Sequence, residues 1–287
     1  MSNILTILFL IIRIVSNPIA NVFQKKLSVN ISSLVINFYT YLFLSLISLF
    51  FIFAHNISIF LNLQFLLLVF LAGFLCALGT VCLIKAINIG ELSVIGPINS
   101  YKSIIGLITA LFLLKEIPSI LSLFGIFLII LGSKYIFETT ATGFSFKLFS
   151  RKDIQYRFLA LILTGIEAAI LKKIILLSSV EICFFFWCFT GLLWSFLFII
   201  FFKKNVFIKQ KTHLIHLLLI AQCLGLMQYS TNYVFAKMNV GYALALFQLS
   251  SLVTVFLGYK VFKEKNFIKK IIASIVMIIG SIFIILN

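Results

Sequence analysis

By length, the chain of 287 residues would suit one or two soluble domains, but its composition excludes that class. Hydrophobic residues make up 63% of the chain and charged residues 10%, which is too little charge to cover a soluble surface. The formal net charge of +16 does not indicate nucleic-acid binding, because most Lys and Arg lie in short stretches between apolar runs, where they face lipid head groups and the cytoplasm.

Ten apolar segments follow one another along the chain, each of about 20 residues and so long enough to cross a bilayer. They are 4–24, 33–54, 65–87, 92–114, 119–137, 156–177, 180–202, 214–236, 240–262 and 268–286. Membrane β-strands would alternate over about ten residues, so these continuous runs exclude a β-barrel. The first segment is predicted to be a retained helix, because it has neither the basic start nor the cleavage site of a signal peptide. The predicted fold class is an all-α integral membrane protein with ten transmembrane helices.

A polar stretch at 138–155 divides these segments five and five. We therefore expect a first five-helix repeat at 1–137, a polar linker, and a second five-helix repeat at 156–287. Because five is odd, the second half must enter the membrane from the opposite side, so the repeats are inverted. Matching loops differ in charge, as inverted loops should. No Lys or Arg lies between segments two and three, whereas a lysine cluster lies between segments seven and eight.

The halves also repeat a motif. Glu264 follows Glu116 by 148 residues, and each Glu comes directly after a Lys at the end of an apolar segment. Small residues follow in register at 125, 132, 273 and 280. Lys25-Lys26 and Lys172-Lys173 likewise occupy matching positions. Internal repetition of this kind is typical of transporters whose site forms between the two repeats.

These features resemble the drug/metabolite transporter superfamily, and more narrowly its EamA-type ten-helix permeases. The resemblance rests on Gly90-x-x-Ser93-x-x-Gly96-Pro97 before Glu116, and on Ala236-Lys-Met-Asn-Val-Gly241 before Glu264. It implies secondary transport of small metabolites or drug-like solutes through a central cavity lined by helices one, three, four, six, eight and nine. Gly90 to Glu116 is three residues longer than Gly241 to Glu264, and segment nine lacks the proline.

The orientation stays open between two arguments. Most Lys and Arg lie in the odd-numbered loops between the apolar segments. The excess of positive charge places those loops in the cytoplasm and both termini outside. Members of the family resembled commonly have both termini in the cytoplasm.

Three ionisable side chains lie deep in predicted helices: Arg13, Lys102 and Glu167. Such groups are costly in the membrane and mark a functional site by default. Two cations against one carboxylate would suit an anionic or zwitterionic solute, and Glu167 is also a candidate proton acceptor. The alternative is a buried structural ion pair between Glu167 and Lys102 or Arg13.

Polar residues recur at helical spacing on four segments and predict a hydrated, solute-binding cavity. Together with the ionisable residues, the predicted substrate-binding set is Arg13, Asn17, Asn21, Asn99, Lys102, Glu167, Gln222, Tyr229, Asn232 and Gln248. The alternative is hydrogen bonding between helices. Glu116 and Glu264, at helix ends, are expected to act as caps or turn anchors.

The leading functional hypothesis is a secondary active transporter working by alternating access, coupled to protons or to exchange. No phosphate-binding loop motif is present to indicate an ATP-driven pump. The alternatives are a flippase for lipid-linked substrates, or a channel or scaffold of the same fold. No catalytic residue, cofactor or metal is predicted: the sequence has no His-Glu-x-x-His motif, and the five cysteines form no metal-binding spacing.

The expected partners are a small-molecule solute, protons and membrane lipid, with no nucleic acid, in a monomer or homodimer. The Lys-, Ile-, Phe- and Asn-rich usage is typical of an AT-rich genome. It favours the inner (plasma) membrane of a bacterial cell.

Overall fold

The structure is a computed structural model that describes residues 2–52, 62–105, 119–140, 146–208 and 210–285. These residues form helices and connecting turns, with no strand among them. The helices are α1 (Ser2–Ser28), α2 (Ser33–Ile52), α3 (Leu63–Ile89), α4 (Leu92–Ile95), α5 (described over 101–105), α6 (Ile120–Phe137), α7 (Lys152–Leu177), α8 (Val180–Phe201), α9 (Lys211–Lys237), α10 (Val240–Phe247), α11 (Ser250–Phe262) and α12 (Phe267–Ile285). Short 3₁₀ helices occur at Pro97–Ser100 and Phe146–Ser150.

Eight helices of the described chain are long and apolar enough to cross a membrane, where the sequence predicts ten. One of the eight, Val240–Phe262, combines α10 and α11. α7 is 26 residues long but is not among the eight. The fourth predicted segment is described only as far as residue 105. The protein is therefore all-helical, with eight candidate membrane-spanning helices in its described part.

Two predicted segments are not continuous helices. The fourth is interrupted after α4 by Gly96 and the 3₁₀ helix that Pro97 begins, because proline supplies no backbone N–H for the α-helical ladder. The ninth is interrupted between α10 and α11 although it contains no proline. There the Gln248 side chain donates to the carbonyl of Leu244 at 3.1 Å, the acceptor that the helical backbone would otherwise use. The sequence predicts one helix for each of these segments, and the structure divides both.

The last residues of the polar stretch at 138–155 are helical. α7 begins at Lys152 rather than at residue 156, so the end of the expected linker is already helical. Arg151 pairs with Asp153 at 2.6 Å, and Asp153 is buried in the first turn of the helix. A carboxylate in that turn also interacts favourably with the helix dipole.

The most extensive helix contacts are those of α6 with α12, α3 with α7, α1 with α9, and α2 with α8. Each pair joins a helix from before the linker to one from after it. α2 and α8 run antiparallel: Asn37 donates to Ser195 at 2.9 Å, and further along α2 Ser45 donates to the carbonyl of Cys188, earlier in α8.

α6 and α12 also cross antiparallel, at glycines. A Cβ added to Gly125 would lie 2.6 Å from the carbonyl oxygen of Gly280, and one added to Gly280 would lie 2.6 Å from that of Gly125. Two turns further along α6, a Cβ on Gly132 would lie 2.8 Å from the carbonyl of Ala273, earlier in α12. Only residues without bulk allow backbones to approach this closely.

Candidate functional site

A cavity of about 120 Å³ lies among helices from both sides of the linker. Two arginines, one lysine and one glutamate line it: Arg13 of α1, Lys102 of α5, and Arg157 and Glu167 of α7. Polar uncharged residues supply much of the rest, namely Asn17, Gln24, Tyr41, Thr80, Asn99, Thr164, Gln228 and Thr231. Such a concentration of ionisable and hydrogen-bonding groups among apolar helices indicates a binding site rather than a packed core.

Arg13 lies near the middle of α1 and is 8% exposed. Its guanidinium lies 4.5 Å from the ring centroid of Phe247, in a cation–π contact. Its Nε and Nη1 atoms are buried and have no hydrogen-bond partner among the described residues. An arginine stays charged in proteins, so these donors require a partner that the cavity must admit.

Arg157 is held by the interrupted fourth segment. Its Nε donates to the carbonyl of Ile95 at 2.9 Å, and its Nη2 donates to Oδ1 of Asn99 at 2.8 Å. Asn99 in turn donates to Oε1 of Gln248 at 3.1 Å. The break between α4 and α5 is therefore joined to the break between α10 and α11 by one hydrogen-bonded chain, and both breaks face the cavity region.

Lys102 lies close enough to Arg13, Arg157 and Glu167 to interact with each electrostatically. In the described part of the chain it forms no ion pair or hydrogen bond. Its ammonium group therefore adds an unmatched charge to the cavity.

Glu167 is the only carboxylate among the described lining residues. Its Oε1 accepts a hydrogen bond from Nε1 of Trp187 at 2.9 Å. It forms no ion pair with Arg13 or Lys102 in the described structure, so the structural pair considered from the sequence is not present. Close to the carboxylate, the Tyr41 hydroxyl and the Cys76 thiol contact each other at 3.0 Å.

The structure brings half of the predicted substrate-binding set to this cavity. Arg13, Asn17, Asn99, Lys102 and Glu167 line it. Gln248 does not line it but bonds to Asn99, and Asn21 is buried beside the lining without contributing to it.

On α9, the polar residues predicted to face the cavity are about one position away from the residues that line it. Gln222 is exposed, and Tyr229 donates to Glu181 at 3.2 Å outside the cavity. Asn232 is fully buried and accepts from Gln228 at 2.9 Å. The face of α9 that lines the cavity instead carries Leu224, Met227, Gln228, Thr231 and Phe235. The spacing of polar residues predicted that α9 has a polar side, but not which position faces inward.

Arg157 is the principal lining residue that the sequence prediction missed. It falls next to the expected start of the sixth helix, where a basic residue is normally interfacial. Because α7 begins at Lys152, Arg157 lies more than one turn inside it. Its helical register with Thr164 and Ala168, which also line the cavity, is the signal that would have identified it.

Glu264 has a structural role at one end of the helices. Its Oε1 accepts from the backbone N–H of Leu92 at 2.7 Å and from Lys25 at 3.0 Å, and its Oε2 accepts from the N–H of Ser93 at 2.8 Å. Lys270 completes this cluster by donating to Glu91 and to the Ser93 hydroxyl. The expectation of a cap is confirmed for Glu264, whereas Glu116 lies outside the described residues.

The comparisons with known proteins agree with this architecture. Residues 4–137 match the EamA-like transporter family. A crystal structure of another protein superposes with a TM-score of 0.66, covering 95% of this chain and 95% of that one, at 11% sequence identity, which shows similarity of fold. No curated protein matches the sequence significantly. Over residues 4–137, just under half of its length, this multi-pass membrane protein is therefore similar to the EamA-like transporters of the drug/metabolite transporter superfamily.

Proposed function

We propose that the protein is a secondary active transporter that carries a small metabolite or drug-like solute across the membrane by alternating access. The observation that carries the proposal is the cavity lined by two arginines, a lysine and a glutamate, on helices from both sides of the linker. Buried ionisable groups in a membrane protein are retained where they contact a solute, an ion or water.

The proposal includes ten spans in two inverted five-helix halves, 1–137 and 156–287, joined by the linker at 138–155. If the halves are repeats, α6 corresponds to α12 and α2 corresponds to α8. Both pairs cross antiparallel, as corresponding helices of inverted repeats do. Gly125 lies against Gly280, and Gly132 lies against Ala273. Since Ala273 is the counterpart of Gly125 and Gly280 that of Gly132, a two-fold relation exchanges these two contacts, and their joint presence supports it.

A repeated lysine contact supports the same relation. Lys25 donates to the carbonyl of Gly90 at 2.8 Å, where α3 ends. Lys172, the counterpart of Lys25, donates to the carbonyl of Met238 at 3.3 Å, where α9 ends. Met238 follows Gly90 by 148 residues, the offset of the sequence motif. Each half therefore uses the same lysine to bind the end of the corresponding helix.

Interrupted helices at the centre fit transport rather than a scaffold. In many transporters the site is formed by two broken helices, one from each repeat, whose free backbone groups face the solute. Here the two breaks meet through Asn99 and Gln248. Rocking of one half against the other would change this contact and the exposure of the cavity together.

We assign coupling to proton movement or to exchange, with Glu167 as the proton-binding group, because it is the only carboxylate among the described lining residues. We place the protein in the inner membrane of a bacterial cell, as a monomer or homodimer, without catalytic activity. The competing functions are a flippase, a channel and a scaffold of the same fold, and the experiment must distinguish each of them from a transporter.

The test is solute uptake into proteoliposomes holding the purified protein, with a panel of radiolabelled amino acids, nucleotides, sugars and phosphorylated metabolites. A transporter concentrates at least one solute above equilibrium under an inward proton gradient or exchanges it against internal solute. A channel only equilibrates it, and a flippase moves fluorescent lipid between leaflets instead.

Glu167→Gln separates binding from coupling. We expect it to keep exchange of internal for external solute and to lose accumulation driven by a proton gradient. Glu181→Gln, which removes a carboxylate outside the cavity, is the matched control and should keep both activities. If no panel solute is accumulated or exchanged while lipid is moved, the proposal gives way to the flippase.

A further inference from the structure

We infer that the solute is an organic anion, whose carboxylate or phosphate group binds between Arg13 and Lys102. This inference concerns the site of the proposed transporter and therefore rests on that function.

The charges that line the cavity do not balance. Arg13, Lys102 and Arg157 face one carboxylate, Glu167, so the described lining carries an excess of positive charge even when Glu167 is ionised. Positive charge held away from bulk water is costly unless a counter-charge accompanies it. A negatively charged solute supplies that counter-charge when it displaces cavity water.

The three cations differ in what holds them. Arg157 is engaged with the carbonyl of Ile95 and the side chain of Asn99, so it positions the interrupted helix. Arg13, by contrast, is buried with two donor nitrogens that lack partners among the described residues. A planar guanidinium with free donors matches the two oxygens of a carboxylate or phosphate. Lys102, also without a partner in the described structure, adds a second charge to the same space.

Phe247 restrains the free guanidinium. Its ring lies 4.5 Å from the Arg13 guanidinium carbon and occupies one side of it. Phe247 also lines the cavity, so apolar and cationic surface adjoin there. The solute therefore combines an anionic group at Arg13 with a less polar body against the aromatic wall.

A zwitterion fits this arrangement less well. Its ammonium group would need Glu167, but one oxygen of that carboxylate already accepts from Trp187. A zwitterion also carries no net charge, so it would leave the excess of positive charge in the described lining unbalanced. The sequence left anion and zwitterion open, and these contacts favour the anion.

Trp187 provides a direct reporter of binding. The chain has two tryptophans, and Trp187 lines the cavity, whereas Trp194 bonds to the carbonyl of Phe70 away from it. In a Trp194→Phe protein, the fluorescence emission of Trp187 is measured while an anion, succinate or glycerol phosphate, is added. Succinamide is the neutral isostere of succinate, glycine the zwitterion and choline the cation. We expect saturable changes with an anion and none with glycine, succinamide or choline.

Three variants in that background locate the anion. Arg13→Gln and Lys102→Gln should each weaken anion binding about tenfold or more, the usual loss when a charged hydrogen bond is removed. Lys173→Gln, an exposed lysine at the end of α7, has the same charge change and should not alter binding. If Arg13→Gln does not fold, Arg13→Lys replaces it in the binding test, because that variant keeps the charge but loses the planar donors.

Quenching of Trp187 gives a second measurement that needs no identified solute. Iodide should quench its emission more strongly than caesium, and the difference should shrink in Arg13→Gln and Lys102→Gln but not in Lys173→Gln. A response to choline or succinamide alone, no response to any anion, or equal quenching by the two ions overturns the inference. Uptake of a neutral or cationic solute would then still support the proposed transporter. Conversely, anion binding without uptake or exchange of any solute would support the anion site but contradict the transporter.

Discussion

Lys25 and Glu264 form an ion pair at 3.0 Å between residues 239 positions apart in the chain. The pair joins the end of α1 to the turn after α11, and Glu264 also caps the start of α4 through two backbone N–H groups. The Glu264 carboxylate therefore connects α1 and α4, from before the linker, to the turn after α11, from beyond it.

Removing this carboxylate should destabilise the protein. In Glu264→Ala the N–H groups of Leu92 and Ser93 lose their acceptor, and we expect a loss of about 1–3 kcal/mol per buried group left unsatisfied. Glu264→Gln keeps one acceptor oxygen and should lose less. The measurement is thermal unfolding in detergent. The control is Glu138→Ala, which breaks the more exposed Lys269 pair and should cost about 0–1 kcal/mol. Equal effects of the two alanine variants would contradict the capping role.

The same carboxylate predicts a pH dependence. Burial alone would raise the pKa of Glu264, but hydrogen bonds from Ser93 and the charge of Lys25 outweigh it and lower that pKa below its ordinary value of 4.5. A depressed folded-state pKa contributes stability above the unfolded-state value, and the contribution is lost as the pH falls toward the folded-state value. The difference in unfolding temperature between wild type and Glu264→Gln should therefore shrink between pH 6 and pH 3. A difference that is constant across that range would be inconsistent with this account.

The α6–α12 crossing should not tolerate added bulk. In Gly280→Ala the new methyl would lie 2.6 Å from the backbone oxygen of Gly125, which cannot rotate away, so we expect a cost of about 1–3 kcal/mol. Gly165→Ala is the matched control in a helix: its nearest neighbour is the Ile105 side chain at 3.2 Å, which can adjust. Thermal unfolding of the two variants checks the crossing, and an unaffected Gly280→Ala would show that the backbones are further apart.

The contact between the two interrupted helices should appear as a coupling energy. Asn99→Ala and Gln248→Ala each remove one side of a 3.1 Å hydrogen bond. If the contact is made, the double variant should be less destabilised than the sum of the single variants by about 0.5–1.5 kcal/mol. The pair Asn37→Ala and Gln248→Ala, which shares no hydrogen bond, is the control for additivity. If the destabilisations of Asn99→Ala and Gln248→Ala add within error, the contact between the two interrupted helices is contradicted.

The sequence predicted most of the helices because apolar runs of membrane length are a strong signal. It did not predict the break at Gln248, which depends on a side chain bonding to the Leu244 carbonyl. It missed Arg157, since a basic residue near a helix end is ordinarily interfacial, and α7 begins earlier than its apolar pattern.

The candidate site was partly predictable for a related reason. Arg13, Lys102 and Glu167 stand out because a charge in the middle of an apolar run is rare. Gln222 and Tyr229 were placed by spacing alone, and spacing does not fix the rotation of a helix. The partner of Lys25 could not be read from the chain, since Glu264 resembles an ordinary interfacial carboxylate.

The central claim is that the two halves are inverted, and thiol labelling at matching positions tests it most directly. With the five native cysteines replaced, single cysteines are introduced as Asn30→Cys after α1 and Leu177→Cys at the end of α7, both exposed and 147 residues apart. A membrane-impermeant maleimide is applied to intact cells and to inverted membranes. We predict that each cysteine reacts from one side only and that the two react from opposite sides. Reaction of both from the same side would contradict the account.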